Sequence, residues 1–107
     1  MNQTMTANTH CLGPIERIPY GEGRQFEIAG TTIAVFRARD GRVWATQALC
    51  PHRAGPLADG LMGGETIVCP LHGWKFNMAT GEALLGDCGI QTYRAWTGEN
   101  GDLWVEV

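Results

Sequence analysis

Two short segments constrain this chain more than anything else in it: Cys50-Pro51-His52 and Cys69-Pro70-Leu71-His72, separated by the sixteen residues 53 to 68. Together they hold two of the four cysteines and two of the three histidines. Both lie in a run rich in proline and glycine, "CPHRAGPLADGLMGGETIVCPLHGWKF" (50–76). Proline fixes φ and glycine permits close backbone approach, so such a run makes stiff, sharply turned loops. Each pair follows a β-like stretch, which lets two loops converge on one ion or cluster. Thiolate and imidazole suit zinc or iron–sulfur, not magnesium or calcium. A lone Cys or His is more often core or surface than ligand, but two mixed pairs in turn-rich loops point to a metal.

The rest of the chain reads as β. QFEIA (25–29), TTIAVFRA (31–38), RVWATQ (42–47), ETIVC (65–69), GWKFN (73–77), IQTYRAW (90–96) and DLWVEV (102–107) are short runs rich in β-branched and aromatic residues. Asp40-Gly41 between two of them predicts a hairpin, and Thr80-Gly81 and Asn100-Gly101 predict further tight turns. No stretch keeps a helical apolar period over ten positions, and ADGLMGG (58–64) has room for one helical turn at most. Short strands at hairpin spacing predict an all-β sandwich or barrel. At 107 residues one domain is expected. It should span 14–107 behind a flexible, polar tail at 1–13. Trp44, Trp96 and Trp104 fall in strand-like runs and are expected in the core.

Charge excludes some functions. The net charge of −3 comes without clustered Lys or Arg, which argues against nucleic acid as partner. No run approaches the ~20 apolar residues of a membrane span. The start MNQTMTANTH lacks a basic region, an apolar region and twin arginines, so the expected compartment is the cytoplasm. Thiols stay reduced there, and cysteine clusters usually mean metal or catalysis.

Two metal centres fit the spacing. A structural Cys2His2 zinc site is one, although its halves usually pair Cys with Cys and His with His. Here each half mixes one Cys with one His, as in a two-iron cluster whose one iron takes both thiolates and the other both imidazoles. Two ferric ions, two sulfides and two thiolates sum to zero charge with neutral imidazoles. Four thiolates would instead leave two negative charges before any electron arrived, so mixed ligation makes reduction easier.

Segment 50–76 resembles the Rieske [2Fe–2S] family, whose pattern is C-x-H, about sixteen residues, then C-x-x-H. The resemblance implies an antiparallel β-sandwich with a small cluster-binding subdomain formed by two loops, carrying one [2Fe–2S] cluster. It implies that Cys50 and Cys69 hold the buried iron and His52 and His72 the outer one, with imidazole edges at the surface. Members from cytochrome complexes resemble C-T-H-L-G-C and C-P-C-H-G-S-x-Y, with a disulfide pinning the two loops. Gly55 and Leu71 occupy those cysteine positions here, and Trp74 and Phe76 replace the Ser and Tyr whose hydroxyls stabilise the reduced cluster. Fewer donors imply a potential near the low end of the Rieske range, about −150 mV.

The resemblance implies one-electron transfer with no catalytic site in this chain. "CPHRAGPLADG", "CPLHGWKFNMATGE" and "CGIQTY" look like the small subunit of a cytoplasmic NAD(P)H-dependent nitrite reductase, whose partner is a large sirohaem and flavin subunit. The alternative is a stand-alone ferredoxin between a flavoprotein reductase and a ring-hydroxylating dioxygenase. "CPHRAGPL" and "CPLHGW" also resemble oxygenase large subunits, but His10 is the only histidine left for a second, mononuclear iron site. Arg53 and Lys75 flank the loops as candidates for partner steering. Gly55, Gly63, Gly64 and Gly73 are expected to permit turns or close approach, and Trp74 to shield the cluster from water. Cys11 and Cys88 are expected as free thiols. Family members cover the cluster with a proline-bearing segment, yet 81–89, which contains Cys88, has no proline.

Overall fold

Among the residues described by this computed structural model (8–51, 54–71 and 73–107), ten strands form two antiparallel sheets. In chain order they are β1 (Thr9–Pro14), β2 (Glu22–Ile28), β3 (Thr31–Arg37), β4 (Val43–Gln47), β5 (Leu61–Gly63), β6 (Thr66–Val68), β7 (Lys75–Asn77), β8 (Ala83–Leu85), β9 (Thr92–Thr97) and β10 (Asp102–Glu106). The larger sheet runs β1-β10-β9-β4-β3-β2 and the smaller runs β5-β6-β7-β8. The smaller sheet is an insertion between β4 and β9.

Strand β3 explains how the two fit together. Its sequence TTIAVFR is an almost unbroken apolar run, the signature of a strand buried on both faces. Ile33 and Val35 point into an aliphatic core with Ile18, Leu103 and Val105. Ala34 and Phe36 point the other way, into a second core with Ile67, Phe76 and Met78 of the small subdomain. Period-2 alternation thus lets one strand serve both cores. At the tip of the β3–β4 hairpin, the Asp40 carboxylate accepts from the Arg42 backbone N–H (3.0 Å) and from Arg42 Nε (2.8 Å). Arg42 Nη1 continues to Glu65 Oε2 (2.9 Å), and Glu65 Oε1 accepts from Asn77 Nδ2 (3.2 Å). This exposed network ties the large sheet to the β5–β6 turn.

Most strands lie where the apolar runs predict them, and Asp40-Gly41 makes the expected hairpin. Three differ. β1 occupies residues 9–14, part of the stretch expected as a tail, and pairs along β10 from Thr9↔Glu106 to Pro14↔Asp102. An edge strand with one partner and a single large aliphatic side chain, Leu12, gives little periodic signal. β5 and β8 are three residues each, too short for alternation to register. The chain around 58–64 makes a 3-10 turn at Leu57–Asp59 before β5. Trp96 and Trp104 stand opposite each other in register but are only half-buried, because alternation puts them on the face opposite to Leu103 and Val105, which fill the aliphatic core. Trp44, nearer the small sheet, packs on its core.

Candidate metal centre

Cys50 and Cys69 each begin a loop with the same closure. The Cys50 N–H donates to Gly55 O (2.8 Å), and the Cys69 N–H donates to Trp74 O (2.7 Å). In both, the cysteine amide reaches a carbonyl five residues on, which brings the two ends of the loop together. A second bond from Ala54 N–H to Cys50 O (2.8 Å) tightens the first loop and holds Ala54 at φ 56. That left-handed conformation costs a non-glycine residue about 1–2 kcal/mol, a local strain of the kind that clusters at functional sites.

The loops deliver the two sulfurs to one place. Both cysteines are free and 2% exposed, and both belong to the small subdomain's core. Burial pushes the Cys69 thiol up from its ordinary value, and the neighbouring Cys50 thiol adds to the rise. The Leu71 backbone N–H opposes it by donating to the sulfur. Gly55 makes the convergence possible: a Cβ there would stand 3.0 Å from Cys69 Sγ and 3.1 Å from Leu71 Cγ. Gly55 and Leu71, the positions where the cytochrome-complex pattern carries its disulfide cysteines, are therefore in contact. Here a glycine and a leucine join the loops.

Of the four ligands expected from sequence, the structure brings together Cys50 and Cys69. His52 and His72, with Arg53, lie outside the described residues. Among the described residues no group of three or more Cys, His, Asp or Glu side chains is placed to hold a metal. Lys75 is exposed on β7, beside the second loop. Gly64 and Gly73 take positive φ, whereas Gly63 has neither a positive φ nor a close neighbour.

A third segment completes the neighbourhood, and sequence reasoning found it only as a missing proline. Residues 84–89, the end of β8 and the turn after it, are exposed throughout. Gly86 packs its backbone against the indole of Trp74, and Gly89 packs on Gly81, whose carbonyl accepts from Ile90 N–H (2.8 Å). The signal was in the sequence as three glycines, Gly81, Gly86 and Gly89.

Two buried thiols side by side, a glycine whose Cβ would crowd a sulfur, and a backbone N–H aimed at that sulfur fit a thiolate-held iron. The comparisons agree. Residues 8–93 match the sequence model of the Rieske [2Fe-2S] domain. This chain belongs to the Rieske [2Fe–2S] domain family. Its cofactor is a [2Fe–2S] cluster. Among curated proteins, it is 39% identical over 67 residues to an oxygenase component described as a probable 3-ketosteroid-9-alpha-monooxygenase from Rhodococcus rhodochrous. That covers 63% of this chain but 17% of the relative. It is 36% identical over 80 residues to the ferredoxin component of the naphthalene 1,2-dioxygenase/salicylate 5-hydroxylase systems of a Ralstonia species, covering 75% of this chain and 76% of that one. Among solved structures, the Sphingomonas yanoikuyae B1 ferredoxin superposes with a TM-score of 0.80 at 33% identity, over 94% of this chain and 99% of that one. A Mycobacterium tuberculosis protein assigned as an NADH-dependent nitrite reductase small subunit superposes with a TM-score of 0.85 at 20% identity, over 92% and 94%. The Rieske chain thus spans about a sixth of the oxygenase component and most of the ferredoxins. No helix among its described residues is long and apolar enough to cross a membrane.

Proposed function

We propose that Cys50 and Cys69 hold one iron of the cluster and His52 and His72 the other, and that the chain carries electrons as a Rieske ferredoxin from a flavoprotein reductase to a terminal oxygenase. The single observation that carries the oxygenase service is 36% identity over three-quarters of both lengths to a dioxygenase ferredoxin component. When bound, the cluster supplies a one-electron couple. The chain's own residues do the rest. The Cys50 and Cys69 amides curl their loops back on themselves, and Gly55 lets the two loops touch. Leu71 donates its N–H to the Cys69 sulfur, which favours the charged thiolate. Leu49 and Leu71, beside the two cysteines, are large apolar side chains at 47% and 44% exposure, and suit a brief, partly apolar encounter.

The second reading is the small subunit of a cytoplasmic NAD(P)H nitrite reductase, working beside a large sirohaem and flavin subunit. It is supported by the likeness of "CPHRAGPLADG" and "CPLHGWKFNMATGE" to such subunits, and its fold neighbour at 20% identity is compatible with it. Stopped-flow mixing and copurification separate the two. Fast reduction by a flavoprotein reductase, fast re-oxidation by a terminal oxygenase, and a freely eluting protein support the ferredoxin reading. Co-elution with a large sirohaem protein, and no re-oxidation by an oxygenase, would move the chain to nitrite reduction. Colourless protein holding zinc would sink both.

A further inference from the structure

Trp74 stands between the second cysteine loop and segment 86–89, which follows β8, the strand paired with β7 at Lys75↔Leu85 and Phe76↔Ala83. Its carbonyl closes the second cysteine loop, and its ring packs against the core that holds Cys50 and Cys69. The ring lies 6.3 Å from that of Phe76, which is wholly buried. Against the indole lies the backbone of Gly86, so close that a Cβ there would stand 2.5 Å from Cδ2 and 2.9 Å from Cζ3. Gly86 also takes φ 134, a conformation that side-chain-bearing residues rarely adopt. Residues 84–89 bury almost nothing of their own. Their far end is pinned by Gly89 on Gly81 and their near end by the pairing of Leu85 with Lys75, and between the two Gly86 rests on Trp74. A segment with so little burial should open at low free energy unless something holds it.

We propose that the Trp74–Gly86 stack is a latch: Trp74 is a positioning residue that holds segment 86–89 against the second cysteine loop and so keeps water from the thiolate-held side of the cluster. This rests on the assignment of Cys50 and Cys69 as ligands. The consequence follows from charge. A cluster that is neutral when oxidised becomes an anion on reduction, and a drier surround disfavours the anion. An intact latch therefore holds the potential down and slows loss of the metal to chelators.

The test compares Trp74→Ala, Gly86→Ala and Trp74→Phe by midpoint potential, chelator bleaching rate and hydrogen exchange at 86–89. Trp74→Ala and Gly86→Ala should speed exchange at 86–89 and bleaching, and should raise the reduction equilibrium by up to tenfold, about 59 mV for one electron. Trp74→Phe keeps a ring for Gly86 to lie on and should stay near the unaltered protein in all three. Unmoved potentials in coloured Trp74→Ala and Gly86→Ala proteins would overturn the latch, even if the segment loosens. If those variants hold no cluster, exchange at 86–89 in cluster-free protein decides: faster in Trp74→Ala than in Trp74→Phe supports the latch, and equal rates overturn it. Cys50→Ser run in parallel tests the ligand assignment alone, since a cluster retained there sinks that assignment whatever the latch does.

Discussion

The two sheets of this protein are held together in different ways. The large sheet has strands of five to seven residues. Beneath it lies an aliphatic core of Ile, Val, Leu and Ala. The small sheet has strands of three residues, and its core contains two buried thiols, of which Cys69 is disfavoured as a thiolate by its burial. One region spends its sequence on burial. The other spends it on close approach, through Gly55 at the Cys69 sulfur and Gly86 at Trp74. Three-residue strands with a glycine-rich frame are marginal by themselves, so metal binding in the small subdomain should act as folding energy. A scaffold that folds for itself thus carries a site that folds with its cofactor.

The sharpest break of that contrast is removal of a ligand. Cys50→Ser and Cys69→Ser should each abolish the cluster's visible colour. Hydrogen exchange should then accelerate across β5–β8 while β3 and β10 stay protected. Equal loss of protection in both sheets would show that the large sheet is not self-sufficient.

Next in size are deletions within the two cores. Phe76→Ala, at a wholly buried position beside the cysteines, should cost about 3–5 kcal/mol and lower cluster occupancy. Ile33→Val in the aliphatic core should cost about 0.5–1.5 kcal/mol and leave the cluster's EPR line shape alone. Chemical denaturation with iron analysis reads both quantities at once.

Trp44 probes the seam between the regions. Its indole N–H is buried with no partner among the described residues, while its ring packs on the small core and Arg42 lies 5.0 Å from the ring centroid. Trp44→Phe removes an unsatisfied donor and some contact area together. The expected net change in denaturation free energy is within about 1 kcal/mol, far less than a buried aromatic usually costs.

The smallest effect lies in the exposed strut. Glu65→Gln should cost about 0.2–1 kcal/mol and be insensitive to that residue's charge in high salt. Asp40 adds a pH signature. The Arg42 backbone N–H holds its carboxyl below the ordinary 3.8. A depressed carboxyl stabilises the fold fully above that value and loses its contribution as pH falls below it, so Asp40→Asn should flatten the acid limb of the stability profile.

Much of this was legible in the residues. Cys50 and Cys69 were marked by spacing, and β3 by its apolar run, because both signals are local. The placement of Gly55 against Leu71 was readable only through the family pattern. What stayed hidden depends on partners distant in sequence. β1 is a strand because β10 offers it an edge, and nothing in THCLGP announces that. Trp96 and Trp104 carry core-like side chains, yet they lie on the face of their strands opposite to the aliphatic core and stay half-buried. Gly86 matters because Trp74 is opposite, a pairing that eleven residues of intervening chain conceal.

The mixed ligation is tested most directly by hyperfine EPR on dithionite-reduced protein grown with 15N-labelled histidine. The predicted result is a rhombic signal, iron and acid-labile sulfide in equal amounts, and coupling to two histidine nitrogens, with the signal lost when either His52 or His72 is replaced by alanine. An EPR-silent, colourless protein containing zinc, or a cluster signal without nitrogen coupling, would contradict it.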